Sequence, residues 1–361
     1  MAFPSQERTR LPHALAVLYA LAIVYASLTP FGPWLTPRDG VPFFLLAPWP
    51  ARVTRYDVVQ NLLGYVPFGF FLAFAPRVAT PLTRIATALA IGAALSCAME
   101  TMQMWLPSRD ASIVDFTANS IGAMIGGIGG AILARAQHAR RRISQVRQTV
   151  FLSGTLGDVG VALIVVWLAA QINPGIALFA VTFDPEPARY LATTATSPDL
   201  AALAIEAAES AFQLLGIGLF TALLVRERRF AGGAVLLLIG IALLVKGVAA
   251  TLLLKPAMWE TWLRPGVLVG IAAGALMLLV AIGLPRPVQV AFCGVALLSS
   301  IGAPLLAPDL LSAHAPLSFF NWHYGHLLHY NGLTRAVLLA WPVAAAVWLF
   351  ALAGRPEWGK E

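Results

Sequence analysis

The sequence predicts an all-α polytopic transmembrane bundle of about ten helices with both termini in the cytoplasm. Three observations predict it. The 361 residues are 59% hydrophobic and only 11% charged, with a mean hydropathy of +0.77, whereas a water-soluble domain carries about 25% charged residues. Apolar runs of roughly 20 residues, each enough to cross a bilayer as a helix, recur along the whole length. Strand-like alternation is absent, which speaks against a membrane barrel.

The expected spans are 13–30, 56–75, 82–106, 112–134, 150–172, 200–225, 230–254, 266–284, 288–306 and 333–352. The first follows Arg8 and Arg10 and is read as a retained helix, since no small-residue cleavage site follows it cleanly. Arg77 and Arg84 lie around the connection after the second span. Arg135, Arg140, Arg141, Arg142 and Arg147 follow the fourth, in a basic, loop-like stretch at Ala134–Gln148. Arg226, Arg228 and Arg229 follow the sixth, Arg286 the eighth, and Arg355 and Lys360 the tenth. If the helices alternate, these cations share one side, which the positive-inside bias assigns to the cytoplasm. The net charge of +7 is therefore read as a surface facing anionic membrane lipids and not as a nucleic-acid interface. The basic stretch divides the chain into a four-helix domain, 1–134, and a six-helix extension, 149–361. No internal sequence repeat links them, so an inverted-repeat transporter gets no support.

Three polar rows lie in the first domain. Asp57, Asn61 and Gly64, then Ser96, Glu100 and Gln103, then Asp115, Asn119 and Gly122 all have the spacing i, i+4, i+7. That spacing aligns each row on one side of a helix. With alternating helices and a 1.5 Å rise, the rows share one depth, within roughly 10–12 Å of the outer boundary. Arg109 and Asp110 occupy the turn above them. Carboxylates are costly in a bilayer and three cannot all be ionised cheaply in a confined site, so the rows imply a protein-lined polar site. Gly122, Gly126 and Gly130 continue the Asp115 face at four-residue intervals and predict close approach to a neighbouring helix. The loop at 29–55 contributes Trp34, Phe43, Phe44 and Trp49, read as an aromatic segment in the interface or dipping back into it.

These residues resemble the VanZ-like family of bacterial membrane proteins. The resemblance rests on Ser27-Leu28-Thr29-Pro30-Phe31 and on Asp57-x3-Asn61-x2-Gly64-Tyr65-Val66-Pro67-Phe68-Gly69-Phe70. It is completed by Ser96-x3-Glu100-x2-Gln103 and Arg109-x5-Asp115-x3-Asn119-x2-Gly122. It covers the first four helices and implies a multi-pass protein of the bacterial inner membrane with a link to the cell envelope. Glycopeptide resistance and surface polysaccharide are the contexts the family implies, and it supplies no settled biochemical activity.

Two further groups stand out. Glu206, Glu209 and Gln213 share a face in the sixth span, and Lys246 reaches a comparable depth in the seventh. They are read as a buried ion pair or as a second polar cavity. His314, His323, His326 and His329 sit among aromatic residues and are read as an interfacial belt, so no metal site is expected. Cys97 and Cys293 fall within spans and suggest no disulfide framework. No Walker loop, dinucleotide glycine pattern, G-x-S-x-G or HExxH is present, so no cofactor is expected.

The expected function is recognition of an amphipathic molecule, a lipid-linked glycan or glycopeptide, at the outer leaflet. Asp57, Glu100 and Asp115 would meet its polar part, Arg109 a phosphate or carboxylate, and Asn61, Gln103 and Asn119 its hydroxyls. An enzyme acting on a lipid-linked substrate, a transporter and a scaffold for polysaccharide assembly are the rival readings.

Overall fold

The computed structural model describes residues 11–29, 31–37, 42–49, 53, 55–74, 80–181, 200–255, 259, 262–306 and 324–355. Within these, side chains are described except at 56, 137–141, 143, 144, 201, 202, 205, 301–306 and 324–331. The protein is an all-α polytopic helical protein with no strand among the described residues. Two compact units follow one another, 1–147 and 148–361.

The first unit contains α1 (Leu11–Leu28), α2 (Arg55–Phe74), α3 (Pro81–Gln103) and α4 (Ile113–Arg135). All four are long and apolar enough to cross a membrane. The packing follows from the small residues. A Cβ at Gly122 would overlap the Leu62 carbonyl, and one at Gly126 the Val66 carbonyl. At Gly130 it would lie 2.6 Å from the Phe70 carbonyl oxygen. Gly69 meets the Ala123 carbonyl in return. These matched steps of four mean that α2 and α4 run parallel, backbone against backbone. The glycine stripe read from the sequence faces α2. Without side chains in the way, dispersion contacts are made by the main chains themselves, the usual way helices associate where no water drives them together.

Helix α3 runs antiparallel to both. Gly127 faces Ala88, Gly92 faces Ala123, and Asn119 bonds Ser96. Its start is fixed by Pro81 in the first turn and by Thr80, whose hydroxyl accepts from the Thr83 N–H at 3.2 Å. Buried Arg84 donates to the Ala73 carbonyl at 2.6 Å and so satisfies the last turn of α2. Helix α1 meets the others through Ile23, Leu28, Tyr65, Phe68, Met99 and Leu106.

The 134–148 stretch expected as a loop is mostly helix: α5 spans Gln137–Val150. Gln, Arg and Ala, all good helix formers, make up most of the segment. High polarity marked the segment as non-spanning; it did not make it irregular.

The second unit holds α6 (Gly154–Ala170), α7 (Leu200–Leu224), α8 (Arg228–Leu253), α9 (Pro265–Ala281), α10 (Arg286–Leu306) and α11 (Tyr324–Ala353). Portions of α7, α8 and α11 are long and apolar enough to cross a membrane, which makes seven such helices among the described residues. Helices α6 and α9 are apolar but have 17 residues each, a rise of about 25 Å against a core of about 30 Å. Helix α11 starts at Tyr324, ahead of the expected 333, because its first turns carry His, Tyr and Asn that an apolar-run reading passes over.

Helix α7 is the most enclosed element. Gly266, Gly270 and Gly274 of α9 lie against Glu206, Ala207, Ser210 and Ala211 of α7, again in parallel steps of four. Its inner face packs Phe220 between Trp341 and Trp348 of α11, with ring centroids 5.4 and 4.6 Å away. The two indoles donate to carbonyls of α6, Trp341 to Leu163 at 2.8 Å and Trp348 to Leu156 at 2.7 Å.

Candidate functional site

One end of the first unit gathers the polar rows. Asp57 lies in the first turn of α2, Asp115 in the first turn of α4 and Glu100 in the last turn of α3. The two aspartates are favoured there by the partial positive charge of a helix N-terminus. Glu100, at a helix C-terminus, has the opposite field and needs a donor. The Ser112 backbone N–H supplies it, reaching Oε2 at 2.8 Å. The Ser112 hydroxyl in turn caps α4 by accepting from the Val114 N–H at 3.1 Å. One residue therefore starts α4 and ties it to α3.

The carboxyl groups are electrostatic neighbours in series. Asp57 acts on Asp115, and Asp115 on Glu100. Asn61 hydrogen-bonds the Asp115 carboxylate. Glu100 is only 3% exposed, while Asp57 and Asp115 are half-buried. Beneath Glu100, Asn119 Nδ2 donates to Ser96 Oγ at 3.0 Å. Asn119 Oδ1 is buried without a hydrogen-bond partner. The Tyr65 hydroxyl, buried beside Ser96 and within electrostatic reach of Glu100, is also left without a well-formed bond. Asn119 and Tyr65 are each 5% exposed. Tyr65 was not among the expected site residues, because in sequence it reads as one more aromatic on an apolar face.

Two expected ligand contacts are occupied within the fold. Arg109 donates through Nε to the Thr29 carbonyl at 3.3 Å and through a terminal nitrogen to the Ala26 carbonyl. Gln103 Nε2 donates to the Ser27 carbonyl at 2.9 Å. Both residues close the last turn of α1, whose final carbonyls have no partner within the helix. Burial pulls the Arg109 guanidinium below its ordinary value, and the neighbouring Glu100 works in the other direction. Gly64, the third member of the α2 row, has open space beside it.

Above the acids, Phe44 begins a short 3₁₀ turn, Phe44–Leu46, and is buried against Phe116 of α4, ring centroids 6.0 Å apart. The Leu35 N–H donates to the Trp105 carbonyl at 2.8 Å. Trp34, Leu35, Phe43, Leu46, Trp49 and Trp105 remain exposed at this end. The expected aromatic segment is thus partly anchored and partly presented.

Residues 6–134 match the VanZ/LLP1 family model. The N-terminal region is VanZ-like. The match takes in α1 to α4 with the whole acidic site, and α6 to α11 lie beyond it. No curated protein matches the chain significantly, and neither does any solved structure. A VanZ-like region joined to further apolar helices points to a membrane protein of the cell envelope.

In the second unit the expected pairing of the α7 acids with Lys246 is replaced by other contacts. Glu206 pairs with Arg264, just ahead of α9, at 2.7 Å. Glu209 accepts from Gln213 Nε2 at 2.9 Å, one turn on along the same helix. Lys246 is wholly buried and donates to the Asn173 carbonyl at 2.7 Å. Asn173 lies in an irregular segment after α6, where its side chain holds the Gly175 N–H at 2.9 Å and Thr334 at 3.2 Å. Irregular backbone leaves carbonyls that a helix would have used, and a lysine can satisfy one of them. The contact is structural, so Lys246→Met, which takes this donor from the buried Asn173 carbonyl, should cost about 1–3 kcal/mol. Thermal unfolding in detergent measures this, and a much larger loss would give the ammonium a weightier role. His314 and His323 lie outside the described residues, as do the side chains of His326 and His329. Among the described residues no group of three or more His, Cys, Asp or Glu is placed to hold a metal ion.

Proposed function

We propose that the chain is a bacterial inner-membrane protein that binds the polar part of an amphipathic envelope molecule, a lipid-linked glycan or a glycopeptide, at the acidic end of its VanZ-like region. The observation that carries this reading is the convergence of Asp57, Glu100 and Asp115 above the unsatisfied Asn119 and Tyr65 groups. Holding four helices together requires far less: an interhelical hydrogen bond contributes roughly 0.6 kcal/mol, and the glycine stripe already joins α2 to α4. Ionisable groups inside a bundle are costly enough that their retention argues for a ligand. The charge bias of the loops supports placing this end at the outer face. Exposed Trp34, Trp49 and Trp105 offer apolar surface beside the acids, as a molecule with both a polar and an apolar part requires.

The test uses cells lacking the chain, complemented with the parent, Glu100→Gln or Asp115→Asn at equal membrane abundance. Both variants should lose most of the complementing effect on glycopeptide sensitivity and on surface-glycan level. Full complementation by both would reduce the acids to a structural role.

A further inference from the structure

The turn joining α7 to α8 gathers cations at the level where two spanning helices leave the hydrocarbon. Helix α7 ends at Leu224 and α8 begins at Arg228, and both contain stretches long and apolar enough to cross a membrane. Such a turn lies among lipid head groups. It carries Arg226, Arg228 and Arg229, all exposed. Its backbone is fixed by neighbouring chain. The Arg226 N–H donates to the Val150 carbonyl at 2.8 Å, and the Leu152 N–H to the Leu224 carbonyl at 2.9 Å. Arg286, buried at the start of α10, donates through Nη2 to the Arg226 carbonyl at 2.6 Å and the Val225 carbonyl at 3.3 Å. It sets a fourth guanidinium against the turn. Arg229 Nε meets Glu227 Oε2 at 2.7 Å, and its guanidinium lies 4.7 Å from the Phe230 ring centroid. Helix stability does not explain this placement. Arg228 and Arg229 stand in the first turn of α8, where the helix dipole favours anions and opposes cations.

Beyond the arginines, α8 offers room for a lipid chain. Arg229, Gly233, Leu236 and Gly240 have the spacing i, i+4, i+7, i+11 and so share a face. A Cβ at Gly233 or Gly240 would meet nothing within 4 Å among the described residues, while Leu236, Leu237 and Leu244 stand exposed around them. The glycines are notches between leucines. We propose that this face binds one anionic phospholipid, its phosphate held by Arg226, Arg228 and Arg229 and an acyl chain laid along Gly233 and Gly240. Clustered cations beside a spanning helix attract anionic head groups, and the planar guanidinium fork matches two phosphate oxygens at once. A zwitterionic phospholipid presents the same phosphate, but its own ammonium cancels the charge and is repelled by the cluster. None of these residues belongs to the acidic site.

The test extracts the full-length chain from vesicles of dioleoylphosphatidylglycerol and dioleoylphosphatidylcholine in equal parts, lipids with the same acyl chains. Retained lipid is read by native mass spectrometry. Phosphatidylglycerol should be kept over phosphatidylcholine by at least about ten-fold, the scale of two surface cations acting on one anion. The double substitution Arg228→Gln and Arg229→Gln should lower that ratio by about ten-fold. Arg226→Gln with Arg228→Gln serves as a second pair should the first fail to fold, as judged from its unfolding midpoint. Gly240→Leu should weaken retention while leaving the unfolding midpoint near the parent's, because its side chain enters open space. Inorganic phosphate in excess should not displace the lipid, since it has no chain. Equal retention of the two lipids by the parent, or a parental ratio in both arginine pairs, would overturn the site. Displacement by inorganic phosphate would overturn the lipid as its occupant. An equal fall on Arg142→Gln, which removes an exposed cation of α5, would reduce the site to a diffuse cationic surface. Retention that responds to the arginines and ignores Gly240→Leu would overturn the acyl-chain seat on α8.

Discussion

Gly126→Leu should prevent assembly of the first unit, whereas Gly64→Ala should leave it intact. The two glycines lie on helices that touch, and composition treats them alike. At Gly126 any Cβ would overlap the Val66 carbonyl and would lie 2.7 Å from the Phe70 nitrogen, both backbone atoms that no rotamer change can move. Accommodating even alanine requires α2 and α4 to separate along the stripe, loosening the contacts at Gly122 and Gly130 together. Overpacking a close-packed interior costs typically about 1–3 kcal/mol, and a leucine against fixed backbone should exceed that. Gly64 has open space beside it, so its methyl should change stability by less than about 1 kcal/mol. Unfolding midpoints of the two variants in matched detergent, with membrane yield as a second readout, decide the matter. A near-parental Gly126→Leu would mean that α2 and α4 do not approach as closely as the carbonyl contacts require.

The same pair shows which parts of the site a sequence can reveal. Helical period is a property of side-chain order, so the Asp57, Glu100 and Asp115 rows and the Gly122, Gly126, Gly130 stripe could be read directly. What those residues bond to could not. Arg109 and Gln103 reach carbonyls of Ala26, Ser27 and Thr29, and Glu100 takes the Ser112 N–H. Every residue carries such backbone groups, so only the folded positions distinguish them. Tyr65 was hidden for a related reason: its role depends on the register of α2 against α3, which places it beside Ser96. Lys246 seeks a carbonyl freed where the chain leaves α6 at Asn173-Pro174-Gly175; the turn is legible in that run, but the side chain that meets its carbonyl is not. Helix α5 escaped because membrane hydropathy separates spanning from non-spanning segments and carries little information on whether a polar one is helical.

Arg109→Leu is the second large expected loss, and it links the frame to the acids. The guanidinium joins the carbonyls of Ala26 and Thr29 while lying within electrostatic reach of Glu100. Hydrogen bonds from a charged donor contribute roughly 1.5–3 kcal/mol each, so removing both should cost about 3–6 kcal/mol. Arg109→Lys should recover less than half, because a single ammonium cannot span two acceptors as a planar fork does. The decisive measurement is a double-mutant cycle on unfolding free energy with Glu100→Gln. If Glu100 depends on Arg109 for its countercharge, the leucine variant suffers twice: α1 loses its anchor and Glu100 loses its nearest cation. Neutralising Glu100 then restores part of the loss, and the double variant should be more stable than the sum of the singles by about 1–2 kcal/mol. Strict additivity would show that Arg109 holds α1 alone.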